Sequence, residues 1–245
     1  MQVSRMNINS NNRNFGHTTP WTDSPYDKKK QMVVGLTTAA GVLASMAVLA
    51  KREGYSLAPR KVFRNFNKSW FKNTEFCDEK PVIIIGAGSC AGGLAGGFLI
   101  DKNKENRKAK LRETLLQLVN ISLPIIFTIQ AGNLGETIGK KYLEKGLKET
   151  LRTKLSKATG AIGGLFAGVF CANIIANKIN EKIFKQGKGR PVQASDFSAH
   201  WDDFVVAAKQ INENWFTDFL SRLIPFALMI AGNEIGNTTV ENADS

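Results

Sequence analysis

The chain has little of what catalysis or metal binding is built from. Its three cysteines, Cys77, Cys90 and Cys171, lack metal-site spacing and outline no disulfide framework. Cys90 and Cys171 sit inside apolar runs, where they read as small apolar side chains. No catalytic constellation stands out, so no catalytic or metal-binding residue and no cofactor is assigned on the leading reading. The chain is basic, with a net charge of +12. Yet it has no paired-cysteine finger and no aromatic-studded basic strand, which argues against nucleic acid as a partner. Met1–Lys30 is polar and has no apolar core, so no secretory leader is expected there.

What the chain does have is four long runs without a charge: Gln31–Ala50, Pro81–Ile100, Thr114–Gly135 and Ala158–Asn177. Each is about 20 residues, the length at which a helix crosses a ~30 Å hydrocarbon layer. Nearly all Lys, Arg, Asp and Glu lie between the runs. Lipid imposes such segregation, because a charge at the bilayer centre costs ~2.5–3.5 kcal/mol on insertion scales. The fold class expected is therefore all-α, a multi-pass membrane helical protein with the lipid bilayer as its surroundings. The first run, bracketed by Asp27–Lys30 and Lys51–Arg52, is expected to direct insertion. Its Gly35, Ala39, Ala40, Gly41, Ala44 and Ser45 favour close helix packing, and a homo-oligomer is compatible with such surfaces. A fifth stretch, Phe219–Gly236, is weaker, because Arg222 and Glu234 interrupt it.

The remaining segments divide accordingly. Residues 1–26 are rich in Asn, Ser and Thr and read as a disordered tail. Residues 27–52 hold the first helix with its basic collars. In 53–80, Phe63, Phe66 and Trp70 recur among Lys61, Arg64 and Lys68, a pattern for a helix lying in the interface against anionic lipid headgroups. A solvated basic helix on a soluble core is the competing reading. Residues 81–236 form the main helical region, and 237–245 a short acidic tail. Within the main region, Ser195–Trp215 is amphipathic, with Phe197, Trp201, Phe204, Val205, Ala208, Ile211 and Trp215 on one face and Asp202, Asp203 and Lys209 on the other. Its acids suit packing on protein better than on lipid.

An internal duplication is visible in part. Gly88, Ala91 and Gly92 align with Gly164, Ala167 and Gly168, and Lys102 and Glu105 with Lys178 and Glu181. Ala131-Gly132-Asn133 reappears as Ala231-Gly232-Asn233, behind Pro124 and Pro225 respectively. The pattern describes a helical hairpin present twice, over 86–136 and 162–236, with an amphipathic insertion near 186–209. Convergence among Gly-rich and Ala-rich helices produces similar matches. If the repeat carries function, a solute pathway is expected at Asn133, Asn233 and Gln130, where amides need partners. Pro124 and Pro225 would free backbone carbonyls beside them.

One motif competes with this picture. Pro81–Ile85 followed by Gly86-Ala87-Gly88 resembles a strand entering a dinucleotide-binding turn, with Gly86 and Gly88 admitting a pyrophosphate. The second strand and its ribose-binding acid do not follow, so the βαβ unit lacks its other parts. The basic residues between the runs also divide almost equally between the two faces, which leaves orientation open. The sequence thus leads to a multi-pass membrane protein, non-enzymatic, acting in solute passage or membrane-embedded assembly. A flavin- or nicotinamide-dependent oxidoreductase and a peripheral membrane scaffold stand as the alternatives.

Overall fold

In a computed structural model, the structure describes residues 26–52, 79–143, 151–185, 200–211, 216–217, 220 and 223–240. Every regular element among them is helical. They are α1 (Lys28–Arg52), α2 (Glu79–Ile100), α3 (Lys104–Ile138), α4 (Leu151–Lys182), α5 (Trp201–Ile211) and α6 (Ile224–Asn237). A π-helical segment, Gly139–Leu143, extends α3. The first four helices are long and apolar enough to cross a membrane, and they contain the four uncharged runs.

Local chemistry sets several helix ends. Asp27 Oδ1 accepts the Lys30 N–H at 2.9 Å, capping the first turn of α1. Asn103 caps α3 by accepting the Glu105 N–H at 2.9 Å. Only Asp101, Lys102 and Asn103 separate α2 from α3, and Arg107 ties the joint. Its guanidinium donates to the carbonyls of Phe98 and Asp101, both at 3.0 Å, which satisfies acceptors left open at the end of α2.

Packing between the helices runs through glycine. A Cβ on Gly93 would overlap the Gly232 carbonyl, and one on Gly97 would approach Gly236 Cα to 3.0 Å, so α2 and α6 meet backbone to backbone. These pairs advance together along both helices, making α2 and α6 parallel. Gly41 of α1 meets Gly88 and Gly92 of α2, while Gly160, Gly164 and Gly168 of α4 meet Ala131, Phe127 and Pro124 of α3. Those two contacts are antiparallel. Helix α2 thus lies between α1, α3 and α6, and α4 covers another side of α3 together with α5.

The large apolar side chains are distributed the other way. A modest cluster of Val42, Val82, Ile85, Ile125, Val206, Ile224 and Leu228 is buried. Meanwhile Leu36, Leu43, Leu99, Leu134, Phe166, Phe170, Ile174 and Phe226 are exposed on the outer faces of five helices. Small residues inside and large apolar residues outside reverse the pattern of a water-soluble core.

Several expectations are corrected. Helix α6 has 14 residues and begins only at Ile224. At 1.5 Å per residue it is about 21 Å long, too short for the fifth crossing expected over Phe219–Gly236. The second copy of the proposed hairpin is not closed as the first is. Helices α2 and α3 pack on each other, but α4 packs on α3 and α5, whereas α6 packs on α2, α1 and α3. Pro124 lies inside α3 and Pro225 in the first turn of α6, so the two prolines are not equivalent. In α5, Val205, Val206, Ala207 and Lys209 face inward and Phe204 and Ala208 outward, because the helix lies against α4 and α3. Tyr26 belongs to the folded part, and Thr238–Val240 is held by side chains of α3. Residues 1–25, 53–78, 186–199 and 241–245 lie outside the described residues, and with them the interfacial segment.

The glycine contacts are expected to set stability. Gly93→Ala should lower it by roughly 1–3 kcal/mol, since the new methyl group has only backbone to displace. Gly163→Ala, with nothing within 4 Å of the added Cβ, should change it by no more than about 0.5 kcal/mol. Unfolding in detergent measures both, and equal losses would contradict backbone-to-backbone packing at Gly93.

Candidate functional site

Ionisable groups gather where α2, α3 and α6 approach the Asp101 turn, in two layers. The outer layer centres on Lys110, whose side chain is 0 % exposed. Its stem runs against Gly97, where an added Cβ would come within 2.7 Å of Lys110 Cδ. From there Nζ donates to the Tyr26 hydroxyl at 3.0 Å and to the Thr238 carbonyl just beyond α6. The Lys110 ammonium also lies 4.9 Å from the centroid of the Tyr26 ring. The Tyr26 hydroxyl donates to Asp101 Oδ2. Tyr26 itself precedes α1 and is anchored by Gln31, whose Nε2 donates to its carbonyl at 2.7 Å.

Asp101 collects further donors: the Asn103 N–H at 2.8 Å and the Asn106 amide at 2.7 Å. Burial acts to raise its carboxyl, but the bonds from Tyr26, Asn103 and Asn106, with the charge of Lys110, hold it below the usual carboxylate range. The Tyr26 hydroxyl is pushed up, first by burial and then by its bond to Asp101 and that carboxylate's charge, and so remains a donor. Four chain segments are thereby tied at one end: the residue before α1, the α2–α3 turn, α3 and the residues after α6.

The inner layer lies one to two turns deeper. Gln117, 6 % exposed, donates through Nε2 to Glu113 Oε1 at 2.9 Å and to Glu234 Oε2 at 3.1 Å. Both carboxylates are half-buried. One amide therefore holds an acid of its own helix and an acid of α6, and the bond to Glu234 links the two helices. Lys110, Glu113 and Gln117 stand at i, i+3 and i+7, which places them on one face of α3. The layers join through α6, where the Thr238 hydroxyl donates to the Glu234 carbonyl at 2.8 Å. Asn237 donates back to the Asn233 carbonyl at 2.8 Å.

Comparison with protein-family models, with curated proteins and with solved structures returned no match to this chain. The arrangement of side chains is accordingly the basis for reading function. Among the described residues no group of three or more His, Cys, Asp or Glu is placed to hold a metal. The cluster instead combines carboxylates and an ammonium, groups able to take up and release protons or to balance a small ion, with a phenol that stays protonated and donates.

Of the residues expected to line a pathway, only Asn233 lies beside this cluster. Gln130 is exposed and donates to Glu79 Oε2 at 3.1 Å, at the opposite end of α2. Asn133 is exposed one turn further on, about 24 Å along α3 from Gln117. Asn133 and Asn233 are thus not brought together. Pro124 is buried against Gly168, where a Cβ would lie 2.6 Å from Pro124 Cα. Pro225 opens α6, where a first-turn N–H has no helical partner in any case, so it frees no carbonyl inside a helix.

The dinucleotide reading loses its geometry. Gly86 and Gly88 lie within continuous helix, Gly86 facing Ile121 and Leu228 and Gly88 facing Gly41 and Ser45. No strand or turn presents their backbone to a pyrophosphate. Lys61, Phe63, Arg64, Phe66, Lys68 and Trp70 lie outside the described residues. Tyr26, Asp101, Lys110, Glu113, Gln117 and Glu234 were missed as site residues, because the charged ones read as collars or interruptions. Their sequence signal is the one-face spacing on α3, together with an acid inside the apolar stretch around Glu234.

The Asp101 ties carry a pH dependence of defined sign. A carboxyl held low in the folded state stabilises fully above its unfolded value, about 3.9, and loses that contribution as pH falls through the lower folded value. The melting temperature should therefore drop on acidification below about pH 4. Asp101→Asn should flatten that dependence, and an unchanged acid limb in the variant would contradict the assignment.

Proposed function

We propose that the chain is a multi-pass integral membrane protein, non-enzymatic, whose ionisable interior handles a proton or a small cation in passage. One observation carries the reading: Lys110, Glu113, Gln117 and Glu234 turn inward on helices whose outer faces carry large apolar side chains. In water this arrangement wastes apolar surface and buries charge. In a bilayer both features have a reason, because lipid accepts Leu, Ile and Phe outside, and ionisable groups on spanning helices must face the bundle interior. Such groups are costly to keep in apolar surroundings and commonly mark proton or ion routes. The present site differs from the pathway read from the sequence, keeping Asn233 and replacing Asn133 and Gln130 with the Gln117-bridged acids.

Membrane-embedded assembly is favoured by a separate observation. On α4, Thr159, Gly163 and Ala167 are exposed at four-residue spacing, and Gly163 has open space around it. A second helix, including one from another copy of the chain, could approach closely there.

Two measurements in sequence test the leading reading. Expressed protein should stay with membranes through carbonate and high-salt washes and leave only with detergent. Purified protein in vesicles enclosing a pH-sensitive dye should then pass protons down an imposed gradient, and Glu234→Gln should abolish that flux while the fold is retained. Release by carbonate would defeat the membrane assignment, and a Glu234→Gln variant with undiminished flux would remove the acid pair from the pathway.

A further inference from the structure

The two layers of the cluster differ in how they are built. In the inner layer every bonded group belongs to α3 or α6, and both helices pack on α2. Their motion is opposed by the contacts at Gly93, Gly97, Gly232 and Gly236. In the outer layer the central group is Tyr26, which precedes α1 and whose contacts include the Asp101 and Lys110 side chains, Gln31, and the Lys30 ammonium 5.8 Å from its ring. The other hydrogen-bond partner of Lys110 is the Thr238 carbonyl, beyond the end of α6. Tyr26 can therefore leave without separating any pair of helices. While it stays, its ring lies under Lys110, and the Lys110 stem fills the space at Gly97 beside Gly236.

We propose that the Tyr26–Asp101–Lys110–Thr238 clasp is a gate, closing the inner acid layer from solvent at the Asp101 end and opening when Tyr26 withdraws. This rests on reading the interior as an ion-handling site and assigns that site its point of control. Release takes the Tyr26 hydroxyl and ring from Lys110, leaving the Thr238 carbonyl as its hydrogen-bond acceptor, and gives its ammonium a reason to turn toward water, since an ion deprived of partners is costly to keep buried. That turn vacates the space against Gly97 and opens a way down the Lys110 face of α3 toward Gln117 and Glu234.

A native residue reports on the gate. Cys90 is 1 % exposed on α2. Since Gly86 meets Ile121 and Gly97 approaches Lys110, antiparallel pairing puts Cys90 about level with Gln117. In full-length chains carrying Cys77→Ala and Cys171→Ala, reconstituted in vesicles, Cys90 is titrated with a charged, membrane-impermeant methanethiosulfonate. Tyr26→Ala should raise the labelling rate about tenfold, equivalent to removing ~1.4 kcal/mol of closure. Asp101→Asn should act in the same direction, Tyr26→Phe should fall between, and Gln130→Ala at the far end should have no effect. Tyr26→Phe keeps the ring, so it decides the matter if Tyr26→Ala fails to fold. Rates unchanged in Tyr26→Phe and Asp101→Asn would overturn the gate, as would a parent Cys90 that already reacts at the rate of an exposed thiol. Labelling needs no flux. Faster labelling with no proton flux in any chain would therefore uphold the gate and sink the passage reading, whereas flux with clasp-independent labelling would do the reverse.

Discussion

Because the carbonyl of Gly232 occupies the space a side chain on Gly93 would need, α2 and α6 lie in backbone contact, and the remaining architecture follows from that closeness. With no Cβ between them, the two helices bring Ser89 near enough to donate to the Leu228 carbonyl at 2.6 Å. Gly97, likewise without a Cβ, leaves beside Gly236 the space that the Lys110 stem occupies. Larger residues at these positions would push α6 outward and separate Glu234 from Gln117. Dispersion contacts and backbone proximity do in this bundle what a large apolar core does in a water-soluble domain.

The charged end and the opposite end are organised differently. At the Asp101 end, Lys110 is sealed in and bonded by groups from distant parts of the chain. At the other, Glu136 holds Lys140 and Lys157 in part-exposed pairs that water can screen. Surface pairs of this kind stabilise little, whereas removing one partner from a buried charged group leaves the other without compensation. The proposed function and the proposed gate both lie at the end where that asymmetry is greatest.

Much of the fold was legible from residue order. The four uncharged runs became α1 to α4 because helix and apolar length go together, and the small-residue character of α1 and α2 became contact because Gly and Ala admit close approach. Helix α5 packs on protein, as its acids suggested, though with Phe204 turned outward and Lys209 inward. The site was much less legible. Asn133 and Asn233 were drawn together by a sequence match, but similar tripeptides on helices of different length and direction end far apart. Pro225 looked like a break inside a span until the start of α6 placed it in a first turn.

Charge segregation, run length and glycine content by themselves determined a helical chain with four elements able to cross a membrane, because each is a property of a single segment. Which faces meet could not be read this way, since Lys110 bonds Tyr26 across 84 positions and Thr238 across 128. Only the parallel placement of α6 on α2 turned a lysine that looked like a collar into a buried centre. The same placement gave Glu234, an apparent flaw in an apolar stretch, a partner in Gln117. The physical reason is that a buried polar group is tolerable only with its partners in place, and those partners are supplied by tertiary contact, not by neighbours in the chain.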